Sequence, residues 1–330
     1  MESFKFLFCF LQLQDLEDEI SMAQKNLKNT LSNRSLIAIF LLILTTILWG
    51  TSFIITKNIT EDVPIFLYLG LRFLIAFFGF IPFFPHLKYL NKKILLMGLI
   101  TGLLYFFGIV FQTYGLQSTT AGKTGFITGL STIFVPFLTW IGYKKRLQIR
   151  IWFAVILSVA GMAFLLLEGE SGLFIGDILV LICAFFFALY IVLNDKYVRL
   201  IDVYSYSIIQ VLIISASSFI CSLILGEPYD LISYQSSFWI VMIYMGIAVM
   251  TLTILFQNWS QQYQGPTTTA IIFTLEPVFA ALFGFLIGNE ILSLFAWIGC
   301  GLIFFAILIT VLKGNNIEEK YKSPISQKFD

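Results

Sequence analysis

The sequence predicts an all-α integral membrane protein, with ten transmembrane helices arranged as two inverted five-helix repeats. Three observations carry that fold class. Of 330 residues, 58% are hydrophobic and 12% charged, against about 25% charged in soluble domains. The charges are unevenly spread, with nine in residues 1–35, seven in 313–330 and 23 scattered between. Between those 23 run long apolar blocks, close to the ~20 residues that a hydrocarbon core about 30 Å thick requires. This balance excludes a soluble globule, and equally a disordered chain, which needs low hydrophobicity and high charge. A net charge of +1 argues against a nucleic-acid partner.

Residues 1–35 read as a cytoplasmic N-terminal segment. Its apolar stretch 4–14 is too short to span, and Glu2 at its start and the lack of an A-x-A site argue against a signal peptide. Translation from Met22 would leave the plain basic leader MAQKNLKNTLSNR; an interfacial amphipathic segment is the alternative. The first repeat, 36–167, holds the blocks 36–56, 64–84, 94–113, 120–142 and 151–167. The second, 176–312, holds 176–194, 204–225, 237–257, 266–288 and 291–312. Arg72, Lys123 and Glu276 are the charges inside blocks, with Asp177 near an end. Membrane β-strands would be about 10 residues long and alternate apolar with polar; these blocks are longer and uniformly apolar. The shortest link is Gly288-Asn289-Glu290, before the tenth block, and 313–330 forms a cytoplasmic tail.

Orientation follows from Lys and Arg in the short loops. One side carries Lys88, Lys92, Lys93, Lys144, Lys145, Arg146, Arg150, Lys196 and Arg199, whereas the other carries only Lys57. Nine against one places both termini in the cytoplasm and the chain in the cell membrane.

Shifting the chain by 145 residues gives an ungapped match across helices 4–5 and 9–10: Thr124 falls on Thr269, Leu130 on Leu275 and Trp152 on Trp297. Across helices 1 and 6, a shift of 139 places Lys57 on Lys196. Each half carries an odd number of helices, so the second enters the membrane from the opposite face. Inverted repeats of this kind support alternating access, with the substrate site near the midplane between them.

Ionisable groups in a bilayer cost about 2.5–3.5 kcal/mol on insertion scales, so each needs a reason. Arg72 and Glu276 both fall near mid-depth of their blocks. Arg72 suits a substrate carboxylate, and Glu276 an amine or a proton; alternatively each pairs with another buried group. Pro277 removes a backbone donor and predicts a kink beside Glu276. Lys123, near the outer face, either snorkels to the surface or faces a central vestibule. The string Ala121-Gly122-Lys123-Thr124 lacks the phosphate-loop glycine, since position 117 is Gln. Trp49, Tyr114 and Tyr190 complete the candidate substrate-binding set, among recurring polar residues such as Ser52, Gln112, Gln210, Gln257 and Asn258.

No enzyme is indicated. The single histidine, His86, falls in a basic loop, and the four cysteines have no metal-ligand spacing. No cofactor is expected. The expected partners are the lipid bilayer and a small-molecule substrate; a homodimer stays open.

The run Leu48-Trp49-Gly50-Thr51-Ser52-Phe53 resembles the opening of EamA-type carriers in the drug/metabolite transporter superfamily. Arg72-Phe73, Tyr114-Gly115-Leu116 and Leu275-Glu276-Pro277-Val278 through Gly288-Asn289-Glu290 extend the resemblance over about 36–312. Asn289 departs from the usual pattern, standing between the Gly and Glu. The resemblance implies ten helices in a five-plus-five inverted duplication, and secondary transport of small metabolites, amino-acid export foremost. Uptake of S-adenosylmethionine or a similar cationic metabolite is the alternative. A non-transporting enzyme or scaffold would instead predict a sealed apolar interface between the halves.

Overall fold

The computed structural model describes residues 33–119, 121–143, 148–166, 175–229, 234–288 and 294–311. The segment 4–14, Met22 and the tail 313–330 lie outside the described residues. Among the described residues every regular element is helical. In chain order these are α1 (Asn33–Asp62), α2 (Ile65–Gly79), a 3₁₀ segment (Ile81–Tyr89), α3 (Lys92–Gln117), α4 (Ala121–Gly129), α5 (Ser131–Tyr143), α6 (Ile149–Leu166) and α7 (Ile175–Val198). There follow α8 (Val203–Ile224), α9 (Ser236–Ser260), α10 (Pro266–Phe273), α11 (Leu275–Gly288) and α12 (Leu294–Val311).

Among the described residues six helices are long and apolar enough to cross a membrane: α1, α3, the 121–142 pair, α7, α8 and α9. The predicted block 64–84 is not one straight span, because α2 ends at Gly79 and the following 3₁₀ segment is bent by 78°. Pro82 and Pro85 in that segment cannot donate to an α-helical ladder. The block 266–288 is also broken, at Thr274, whose hydroxyl and amide both turn back to the Ile271 carbonyl. Pro277 sits one turn beyond the break, where its missing N–H costs little. Helix 121–143 breaks one residue from the equivalent point, at Leu130, with Pro136 further along its second piece.

Side chains cap several starts. Asn91 accepts from the Ile94 amide and Asp202 from the Ser205 amide. The Glu227 carboxylate, from beyond α8, accepts from the Phe66 and Leu67 amides at 3.3 and 2.8 Å. It thus meets both the orphan donors and the positive end of α2.

Small residues set the closest helix contacts. A Cβ on Gly98 would lie 2.6 Å from Ile209, and one on Gly102 3.0 Å from Ile213, so α3 and α8 meet backbone to side chain. Large apolar side chains such as Phe40, Ile149, Ile156 and Ile224 are exposed, as a lipid-facing surface requires. The core is continuous across the two halves, from Leu42 and Tyr68 to Ile271 and Ile307.

Candidate functional site

Between the halves lies a cavity of about 760 Å³, counting its open mouth. It is lined from both sequence halves, by α1, α2, α3 and the 121–143 helix on one side and α7, α9, α10 and α11 on the other. Both helix breaks abut it, through Thr128, Gly129 and Ser131 in the first half and Phe273 and Glu276 in the second. Broken helices at membrane depth occur where they line a cavity.

Arg72 reaches this cavity from mid-α2 and is 2% exposed. Its Nη1 donates to the Tyr68 hydroxyl at 3.2 Å and to Thr56 Oγ1 at 3.5 Å. Its Nε has no hydrogen-bond partner, and no carboxylate pairs with it among the described residues. Among the described residues the guanidinium is held by neutral hydroxyls through Nη1 alone, leaving its charge and its Nε and Nη2 donors for a ligand.

Glu276 also lines the cavity and is 8% exposed. Among the described residues it makes no hydrogen bond or ion pair. It is the second residue of α11, where unsatisfied N–H groups and the helix dipole favour negative charge. The break at Thr274 thus puts a helix start, and an acid suited to it, at the cavity wall.

Trp49 and Tyr190 line the same cavity. The Trp49 indole donates to Thr253 at 3.1 Å and packs edge-on against Phe273. Tyr190 stands edge-on to Tyr105, another lining residue, with its hydroxyl 3.4 Å from Asn258 Oδ1.

Two sequence candidates lie elsewhere. Tyr114 is half-buried against Phe66 and does not line the cavity. Lys123 neither snorkels nor faces a vestibule. It is 6% exposed, and its Nζ lies 2.9 Å from Asp177 Oδ2. A sequence in which Lys123 and Asp177 stand 54 residues apart does not announce that pair.

Lining residues absent from the candidate set include Phe53, Thr56, Tyr105, Thr128 and Ser131. Tyr68, which orients Arg72, is also new. The signal for several of them was the internal repeat, read in a slightly different register. Asn194, Tyr206, Gln210, Asn258 and Gln261 form a buried network with Thr101 and Ser207. Gln257 lines the cavity beside it, with Oε1 unpartnered.

The sequence model of the EamA-like transporter family matches residues 36–167 and 174–312. An uncharacterized transporter of Archaeoglobus fulgidus is 31% identical over 277 residues, covering 82% of this chain and 85% of that protein. A second from the same organism is 25% identical over 294 residues, covering 83% and 96%. The uncharacterized transporter YetK of Bacillus subtilis is 28% identical over 129 residues, covering 37% of this chain and 38% of its own. A solved crystal structure superposes with a TM-score of 0.70 at 21% identity, covering 87% of this chain and 99% of the other; at that identity the likeness is one of fold.

Proposed function

The chain belongs to the EamA-like transporter family, and from that premise we propose that it is a secondary carrier exporting amino acids or related zwitterions across the cell membrane. One observation carries the substrate class. Arg72 and Glu276, opposite in charge, line one cavity and neither has a charged partner among the described residues. A ligand carrying a carboxylate and an ammonium satisfies both. A ligand with only one of these groups leaves either the guanidinium or the Glu276 carboxyl without a partner, and an unpaired buried polar group is costly.

The reading includes ten spans in two inverted repeats, with both termini cytoplasmic. The helices α6 and α12, at 18 residues each, would run about 27 Å, close to the ~30 Å core. The polar contacts support the duplication at a register of 138, not 139, for the first helix pair of each half. In the first half Arg72 donates to Thr56 and Tyr68 meets Thr56; 138 residues on, Gln210 donates to Asn194 and Tyr206 donates to Asn194. The same register pairs Trp49 with Phe187, Ser52 with Tyr190 and Phe53 with Ile191, all lining the cavity. A register of 145 pairs Tyr105 with Met250, Gln112 with Gln257, Thr128 with Phe273 and Ser131 with Glu276, again all lining it.

The charges break this pseudo-symmetry. Arg72 has Gln210 as its repeat mate, and Glu276 has Ser131. A zwitterion therefore has one orientation in a cavity whose framework is two-fold.

The test is counterflow of labelled compounds in proteoliposomes, over amino acids, nucleosides and S-adenosylmethionine. Saturable exchange of an amino acid is expected, reduced by Arg72→Ala and by Glu276→Gln. Normal transport by folded Arg72→Ala and Glu276→Gln proteins refutes the site. Exchange confined to S-adenosylmethionine replaces the substrate class.

A further inference from the structure

Thr119 and Gln264 stand 145 residues apart, in the turns that precede α4 and α10. Their carbonyls each accept from a basic side chain of the same repeat. The Thr119 carbonyl accepts from Lys57 Nζ at 3.1 Å, at the end of α1. The Gln264 carbonyl accepts from Arg199 Nη2 at 3.0 Å, just past the end of α7. Beside each, a glutamine of the same register repeats one bond: Gln117 Nε2 donates to the Thr60 carbonyl at 2.9 Å, and Gln262 Nε2 to the Val198 carbonyl at 3.0 Å. These bonds lie within one repeat and tie its first helix to its own turn.

The side chains of the same two residues reach the other way, into the opposite repeat. Thr119 Oγ1 donates to Asp177 Oδ1 at 2.6 Å, in the first turn of α7. Gln264 Nε2 donates to the Ser35 hydroxyl at 2.6 Å and carbonyl at 2.9 Å, in the first turn of α1. Both residues are nearly buried, at 6% and 4% exposure. Inverted topology puts the first cross-repeat contact at the outer rim and the second at the inner rim.

We propose that these cross-repeat contacts are the two locks of the transport cycle: Thr119–Asp177–Lys123 closing the outer side and Gln264–Ser35 closing the inner. The inference rests on the carrier reading above. Contacts within a repeat survive when the halves rock as bodies, whereas contacts between repeats at a rim part when that rim opens.

The locks differ in chemistry. The outer one contains the buried Lys123–Asp177 pair, and the inner one is neutral. Desolvating two charges offsets much of their attraction. Opening the outer rim rehydrates both, so the pair can hold shut and still release.

The experiment reads accessibility, not transport. In a chain with its four cysteines replaced, Ser52→Cys places one thiol on the cavity wall. A membrane-impermeant maleimide is applied to right-side-out and to inside-out vesicles. The neutral double variant Asp177→Asn/Lys123→Gln should raise labelling from outside by about three- to tenfold, the span of one or two hydrogen bonds, and lower it from inside. Gln264→Ala should do the reverse. Thr119→Val, which keeps the ion pair, should shift labelling as the double variant does but less, and serves if that variant does not fold. Shifts of the same sign in both locks, or no shift, overturn the assignment. Opposite shifts in a protein that exchanges no amino acid uphold the locks and refute the substrate class.

Discussion

The Arg72 guanidinium and the Glu276 carboxylate line the same cavity without forming an ion pair. Each is instead supported by uncharged groups: hydroxyls of Tyr68 and Thr56 for the one, a helix start for the other.

Removing either charge should therefore impair transport more than folding. Hydrogen bonds to charged groups contribute about 1.5–3 kcal/mol. Arg72→Gln and Glu276→Gln should each lower kcat/KM for a zwitterionic substrate by about 10- to 100-fold. Thermal unfolding in detergent should stay near that of the parent or rise, because an unmatched buried charge is itself costly. A fall of more than ten degrees with either variant would assign these residues a structural role.

Tyr68 holds Arg72 without lining the cavity. Tyr68→Phe keeps the ring and deletes the hydroxyl that Arg72 and Thr56 share. The loss of one such bond predicts a rise in KM of about three- to tenfold with kcat little changed. Uptake at varied substrate concentration measures this, and a pure kcat effect would contradict it.

Glu227 acts on stability alone. Its carboxylate caps α2 and also accepts from Ser222. Glu227→Ala should destabilise by about 0.5–2 kcal/mol, read as a lower unfolding midpoint. KM should not move, since Glu227 is not on the cavity.

The α3–α8 seam should tolerate no bulk at Gly98. With Ile209 where a Cβ would go, Gly98→Val forces helices apart or side chains off their rotamers, at about 1–3 kcal/mol. A compensating Ile209→Ala should restore most of the midpoint. Failure of that rescue would locate the strain elsewhere.

The readable parts of the fold were those governed by solvent. Apolar block length and loop charge follow from what a bilayer admits. So does the suspicion attached to Arg72 and Glu276, two charges with no business at mid-depth unless a cavity takes them. Lys123 raised the same suspicion and proved to be paired with Asp177, because a charge count along one helix does not say what the neighbouring helix carries. Tyr114 was chosen among the recurring polar and aromatic residues, and its ring packs on Phe66.

The proposed repeat takes, from its buried polar contacts, a register one residue shorter in its first pair of helices than the surface lysines give. Matching Lys57 to Lys196 weighed surface charge, whereas the hydrogen-bond pattern of Thr56, Tyr68 and Arg72 aligns with Asn194, Tyr206 and Gln210 one position earlier. Surface lysines are interchangeable, but buried polar side chains must each find a partner at a set distance.

The sequence by itself determined that this is an all-helical membrane chain with Arg72 and Glu276 inside long apolar blocks, because bilayer solvation acts on composition and periodicity. Only the tertiary structure decided that α2 and its 3₁₀ extension bend by 78°, that the 121–143 and 266–288 helices break beside the cavity, and that Arg72 and Glu276 share that cavity unpaired while Lys123 does not reach it. Those outcomes depend on which faces of packed helices meet, and hence on distances between residues far apart in the chain.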